Sequence, residues 1–142
     1  SGVGSAGALT GDGTASYAGL VTLGSASTIG SNSGTFTLSN AGTITGSGFG
    51  LTFTGSGNGS IASIIGTGAG TVTKNGSGTW TLSGANTYTG ATSVSVGTLV
   101  AANASALGGT GTGTTVASGA TLNINAVAVG AEGVTISGTG VG

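Results

Sequence analysis

Apolar and polar residues alternate along this chain in short runs, and Gly, Ser and Asn separate one run from the next. Clear examples are Thr35-Phe36-Thr37-Leu38, Leu51-Thr52-Phe53-Thr54, Thr79-Trp80-Thr81-Leu82, Ser93-Val94-Ser95-Val96 and Thr121-Leu122-Asn123-Ile124. A two-residue period puts successive side chains on opposite sides of a strand, so Val72, Trp80, Leu82, Val94 and Val96 are expected to point into one core. Asn75-Gly76 and Ser83-Gly84 read as turns, because these residue types tolerate positive φ at little cost. Nowhere do apolar residues recur at the three- and four-residue spacing of a helix. Ala101–Leu107 is the one helical candidate and is too short to stand alone. The expected fold class is all-β.

Strand starts fall about eight or nine residues apart. A sandwich of hairpins calls for longer paired strands. Three such short sides instead close a coil of roughly 20–27 residues, within the range of solenoid repeats. The expected architecture is a parallel β-solenoid of about six coils, each of three short strands. At a strand spacing of about 4.8 Å it forms a rod roughly 30 Å long.

Composition narrows the function classes. The chain has 142 residues, of which Gly supplies 34, and its only charged side chains are Asp12, Lys74 and Glu132. Disorder normally comes with high net charge and few β-branched residues, which is the reverse of this chain. The absence of Pro leaves every strand interior its ladder donor. With no Cys there is no disulfide framework or thiolate site. A net charge of −1 offers no attraction for nucleic acid or anionic lipid, so neither is an expected partner. No apolar run approaches a membrane span, and no signal peptide pattern is visible.

The run from Thr73 to Gly90, TKNGSGTWTLSGANTYTG, resembles the autotransporter-associated β-strand repeat, also called the passenger-associated transport repeat. The residues that carry the resemblance are Lys74, Gly76, Gly78, Trp80, Leu82, Gly84, Asn86, Tyr88 and Gly90, followed by Gly97 and Leu99. The resemblance is specific over Gly70 to Leu122, where Ala106-Leu107-Gly108 and Ser118–Leu122 match what commonly follows the motif, and only compositional before Gly66. Trp80 stands where the family usually has Leu, which is expected to enlarge that core position without changing the strand. The resemblance implies a right-handed parallel β-helix on a bacterial surface, in a secreted passenger. It also makes the segment 1–142 a single solenoid unit of a longer covalent or stacked array. The closing Val141-Gly142 and the opening Ser1-Gly2-Val3-Gly4 fit a unit–unit junction, because family members run such an end into a Gly-Ala-Leu-Thr like Gly7–Thr10. Neither end resembles the polar cap that closes a natural solenoid.

Catalysis needs groups that titrate or ligate. The chain has no His or Cys and no carboxylate pair, so no catalytic, metal or cofactor site is expected and the protein reads as a non-enzyme. Without a base, its many Ser and Thr are not activated nucleophiles. Lys74, Asp12 and Glu132 are expected at exposed corners, although the two acids can also meet across a unit–unit junction. Asn58-Gly-Ser60, Asn75-Gly-Ser77 and Asn103-Ala-Ser105 fit the glycosylation sequon, with chance matches expected in so Ser-rich a chain. Glycans remain a candidate partner through Tyr17, Tyr88 and Trp80, but core filling is the expectation for these rings. Thr-x-Thr triplets recur at Thr35/Thr37, Thr43/Thr45, Thr52/Thr54, Thr71/Thr73, Thr79/Thr81 and Thr87/Thr89. Such arrays resemble those of ice-binding solenoids. Triplets eight or nine residues apart fall on different sides of a coil, however, and a ladder role is expected. The leading expectation is a structural protein of an extracellular fibre, stalk or surface layer, self-assembling end to end. The alternative is an adhesin-like or ice-binding module.

Overall fold

A computed structural model of the chain describes residues 7–139. Among these residues every regular element is a β-strand, and every strand pairs with its neighbours in parallel. The strands stack as a solenoid of about six turns with three faces. The first face runs β1 (Gly7–Gly11), β4 (Ser27–Ser31), β7 (Leu51–Thr54), the first half of β10 (Val72–Leu82), the first half of β11 (Thr92–Ala101), β12 (Thr114–Val116) and β14 (Val134–Ile136). The second face runs β2 (Ala15–Tyr17), β5 (Thr35–Leu38), β8 (Asn58–Ile61), the second halves of β10 and β11, and β13 (Thr121–Ile124). The third is a smaller sheet of β3 (Thr22–Leu23), β6 (Thr43–Gly46) and β9 (Ile64–Gly66). One coil advances the register by 19 residues at Trp80–Leu99 and by 24 at Ser27–Leu51, in line with the expected coil length.

In-register stacking turns each inward position into a file along the axis. On the first face the file reads Leu9, Ile29, Phe53, Lys74, Val94, Val116, Ile136. On the second it reads Ala15, Phe36, Gly59, Trp80, Leu99, Leu122. Beside that runs Tyr17, Leu38, Ile61, Leu82, Ala101, Ile124. The middle members of all three files are buried, and with Ile44 and Ile65 of the third face and Leu51 and Val72 of the first they make most of the core. Burying a large aliphatic or aromatic side chain contributes about 1.5–3 kcal/mol, so these files are the main apolar drive for stacking.

Two local expectations are corrected. Asn75-Gly76 is not a turn that ends a strand: β10 runs unbroken from Val72 to Leu82 and bends at a bulge, where the register shifts between Lys74 and Thr79. Gly76 does not adopt positive φ either. It is required because a Cβ there would collide with the backbone of Gly55 in the coil below. Val96, expected in the core, is 44% exposed. It lies just past the corner of β11, where Ser95 and Val96 both face outward and the two-residue alternation is interrupted. Ala101–Leu107 forms no helix, in keeping with the all-β expectation. Past the last residue of β11 it turns tightly, with the Ala106 N–H donating to Asn103 O and the Ser105 N–H to the Asn103 side chain.

Candidate functional site

The chemically distinctive side chains cluster where β10 and β11 turn from the first face to the second. Lys74 is fully buried, which corrects its expected place at an exposed turn. The alternation Val72-Thr73-Lys74 puts it on the same side as Val72, in a file otherwise made of apolar residues. Its ammonium donates to the carbonyl oxygens of Gly76 and Val96, the second at 3.1 Å, so a lone buried cation is held by backbone carbonyls. Desolvation lowers its pKa from 10.5 to about 8. The corner leaves no spare room around it. Gly97 has φ of +73°, and a Cβ there would press on the Gly76 carbonyl and the Lys74 ammonium.

Trp80 fills the second-face core beside this corner. Its ring stacks on Phe53 with centroids 4.8 Å apart and 25° between planes, and its Nε1–H donates to Thr54 O at 3.3 Å. The larger side chain fits because Gly59 lies directly beneath it in the file; a Cβ on Gly59 would overlap the indole. The strand is unchanged by the Trp, as expected, but the fit depends on that glycine.

Asn86 and Tyr88 form the third corner, and both are buried. The Asn86 side chain accepts from the Ile65 N–H at 2.8 Å and donates to Ala106 O at 2.7 Å, linking the coil below to the coil above. The Tyr88 hydroxyl and Thr92 Oγ1 lie 2.6 Å apart in a hydrogen bond. Desolvation raises the Tyr88 pKa to about 12, the Thr92 hydrogen bond opposes the rise, and the charge of Glu132 adds to it. One coil beyond Thr92 lies Thr114, whose hydroxyl donates to Glu132 Oε1 at 2.9 Å. Glu132 therefore tucks against the wall and is only partly exposed, not the solvated corner expected of it, and its Oε2 is buried without a protein partner. Asp12 is exposed and accepts from the Asn32 side chain at 3.0 Å, one coil away.

These groups do not converge on a reacting centre. The described residues contain no group of three or more His, Cys, Asp or Glu side chains that could hold a metal ion. Lys74, Asn86, Ser63 and Thr114 instead each tie one coil to the next. Gly78, Gly84 and Gly90 serve the same stacking, since a Cβ on any of them would collide with the backbone of the coil below. Leu82 and Leu99 fill the core between them.

Residues 72–101, which hold every one of these motif positions, match the family model of the passenger-associated-transport-repeat. Over these residues the chain is similar to that repeat. No curated protein and no solved structure matches the chain. The passenger-associated repeat and the solenoid together fit an autotransporter-associated surface protein, a class in which this fold is typical of structural and passenger proteins. The matched stretch is shorter than the resemblance to Leu122 read from the sequence. The polar residues of the matched stretch act here as inter-coil ties, Lys74 from a buried place instead of the exposed turn expected of it. Its parity with Val72 was the available signal.

The two ends of the solenoid expose apolar surface. Near the C-terminal end a cleft of about 390 Å³ is lined by Val116, Ala120, Leu122, Ile124, Val134 and Ile136. Ile136 is 70% exposed, and Leu20 in the first coil is 66% exposed. The junction residues Ser1, Gly2, Val3, Gly4, Val141 and Gly142 lie outside the described residues. Trp80 and Tyr88 are core side chains as expected, whereas Tyr17 is 40% exposed.

Proposed function

We propose that this segment is a rod unit of a bacterial surface fibre, stalk or layer, joined to further units end to end. The observation that carries this reading is the apolar cleft between β13 and β14, together with exposed Ile124, Val134 and Ile136. Exposed apolar surface of this kind marks an interaction site, and an unpaired parallel strand is a template for another strand. Further coils placed there, in a stacked copy or a tandem unit, bury the cleft and pair the edge. The function is mechanical: ladder hydrogen bonds run along the rod axis, and a nearly uncharged wall lets rods approach without repulsion. The partner is a second unit of the same kind.

Electron microscopy of the purified segment tests the stacking form of this proposal. Filaments with an axial repeat of about 30 Å, six rungs at the strand spacing, are expected. Ile136→Asp, which places a charge in the cleft, is expected to leave only single units. Monodisperse single units from the unaltered chain at all concentrations overturn the proposal.

A further inference from the structure

We propose that the outer surface of the second face is an ice-binding surface. Successive Thr-x-Thr triplets do lie on different faces, as the sequence implies, but the third strand in each coil returns to the same face. Thr35/Thr37 and Thr79/Thr81 therefore stack on one another with Asn58/Ser60 between them. Thr98 and Thr121 extend the first column, and Ser16 opens the second. The outcome is one file of short polar side chains on five successive coils, Thr35 to Thr121, beside a second on four, Ser16 to Thr81, which Val100 ends.

Four properties suit this face to ice. Its register has no shift from β5 through β8 to the second half of β10, so the backbone alone fixes the spacing of the files. Along the axis that spacing is about 4.8 Å, and between i and i+2 on one strand it is about 6.7 Å. Both lie near the oxygen repeats of the hexagonal ice lattice along its two principal axes. Second, among the described residues the hydroxyls of Thr35, Thr37, Ser60, Thr79, Thr81 and Thr98 make no side-chain hydrogen bond to protein and are free to hold water. On the first face one outer file, Thr28, Thr52, Thr73, Ser93, is likewise unbonded, but its companion is broken, because Gly30 interrupts it and Thr54 donates to Asn75 O. On the third, Thr22 and Thr45 bond to each other. Third, Asp12, Lys74 and Glu132 all lie elsewhere, so no charge on this face imposes its own hydration shell. Fourth, each Thr presents a methyl beside its hydroxyl, which pairs an apolar contact with a lattice-spaced oxygen. Regular, uncharged and unspent hydroxyl files suit a solid with a fixed oxygen lattice better than a flexible ligand.

Ice affinity of the whole segment is read as thermal hysteresis and as faceting of a single ice crystal. The unaltered chain is expected to show both. Thr81→Lys, which projects a long charged side chain from the middle of the second face, is expected to abolish them while its circular dichroism stays that of the unaltered chain. Thr52→Lys makes the same change on the first face and is expected to retain both effects. Absence of hysteresis and faceting in the natively folded, unaltered chain overturns the proposal. So does equal loss in the Thr52 variant, or adsorption to an insoluble polysaccharide without any effect on ice. Rod assembly is read independently by microscopy, so failure of either proposal leaves the other standing.

Discussion

The ammonium of Lys74 donates to the carbonyl oxygen of Val96, 3.1 Å away and one coil further along the rod. No carboxylate shares this site, so the charge is balanced only by backbone dipoles. Burial of the charged form is therefore a standing cost, and it vanishes when the amine loses its proton. With a folded pKa of about 8 against 10.5 for the free side chain, the unfolded chain binds more protons between those values. Stability must then rise as pH increases from about 8 to 10.5, and fall as pH drops back through 8. Urea midpoints at pH 7 and pH 10 should show this rise. Lys74→Met should flatten it, and at pH 7 should stay within about 1 kcal/mol of the unaltered chain, because losing a buried charge offsets losing its hydrogen bonds.

Tyr88 has the opposite sign. Its folded pKa is raised to about 12 from 10.0, so the folded chain holds the phenolic proton longer than the unfolded chain does. Its contribution is complete below pH 10 and is lost as pH rises toward 12. Together the two groups place the stability maximum near pH 10. Tyr88→Phe should weaken the alkaline decline, measured as the difference in urea midpoint between pH 10 and pH 11.5.

Gly59 and Trp80 are paired by space. A methyl group at Gly59 overlaps the indole, so Gly59→Ala should destabilise by about 1–3 kcal/mol, the usual cost of overpacking. Trp80→Leu in the same chain should recover most of that loss. A double-mutant cycle on denaturation free energies would register this as a coupling of about 1–2 kcal/mol. Additive losses would show that the two positions do not share the same volume.

Asn86→Ala removes both hydrogen bonds of a buried amide and leaves the Ile65 N–H and the Ala106 carbonyl without their partner. Each orphaned buried group costs about 1–3 kcal/mol, so a loss of about 2–5 kcal/mol is expected. Asn86→Asp keeps the acceptor for Ile65 but, when ionised, buries an unpaired charge against the Ala106 carbonyl, and at pH 7 should lose at least as much as Asn86→Ala. Equilibrium urea denaturation ranks the three chains.

Most of this architecture was legible in the sequence because stacking reads the same two-residue alternation coil after coil. Phe36, Phe53, Trp80, Leu82, Val94 and Leu99 all sit inside, where alternation puts them. What failed to show was the corner. At Val96 the chain turns between faces and the alternation lapses, so parity carried across the bend gave the wrong side. At Lys74 parity with Val72 holds and points inward, whereas the chemistry of a lone Lys points to the surface. Nor does a sequence display which strands share a face. The files of Thr on the second face emerge only once coil lengths between 19 and 24 residues are known, since they decide which residue stands above which.

The unbroken course of β10 and β11 round the corner has a consequence for how the rod comes apart. Each of these strands belongs to two faces, and they pair with each other along nearly their whole length. One face therefore cannot peel away here while the other holds. The coils on either side, built of shorter separate strands, can fray rung by rung, but the middle of the rod must open as one cooperative block. Amide hydrogens in Val72–Leu82 and Thr92–Ala101 should then exchange together and last.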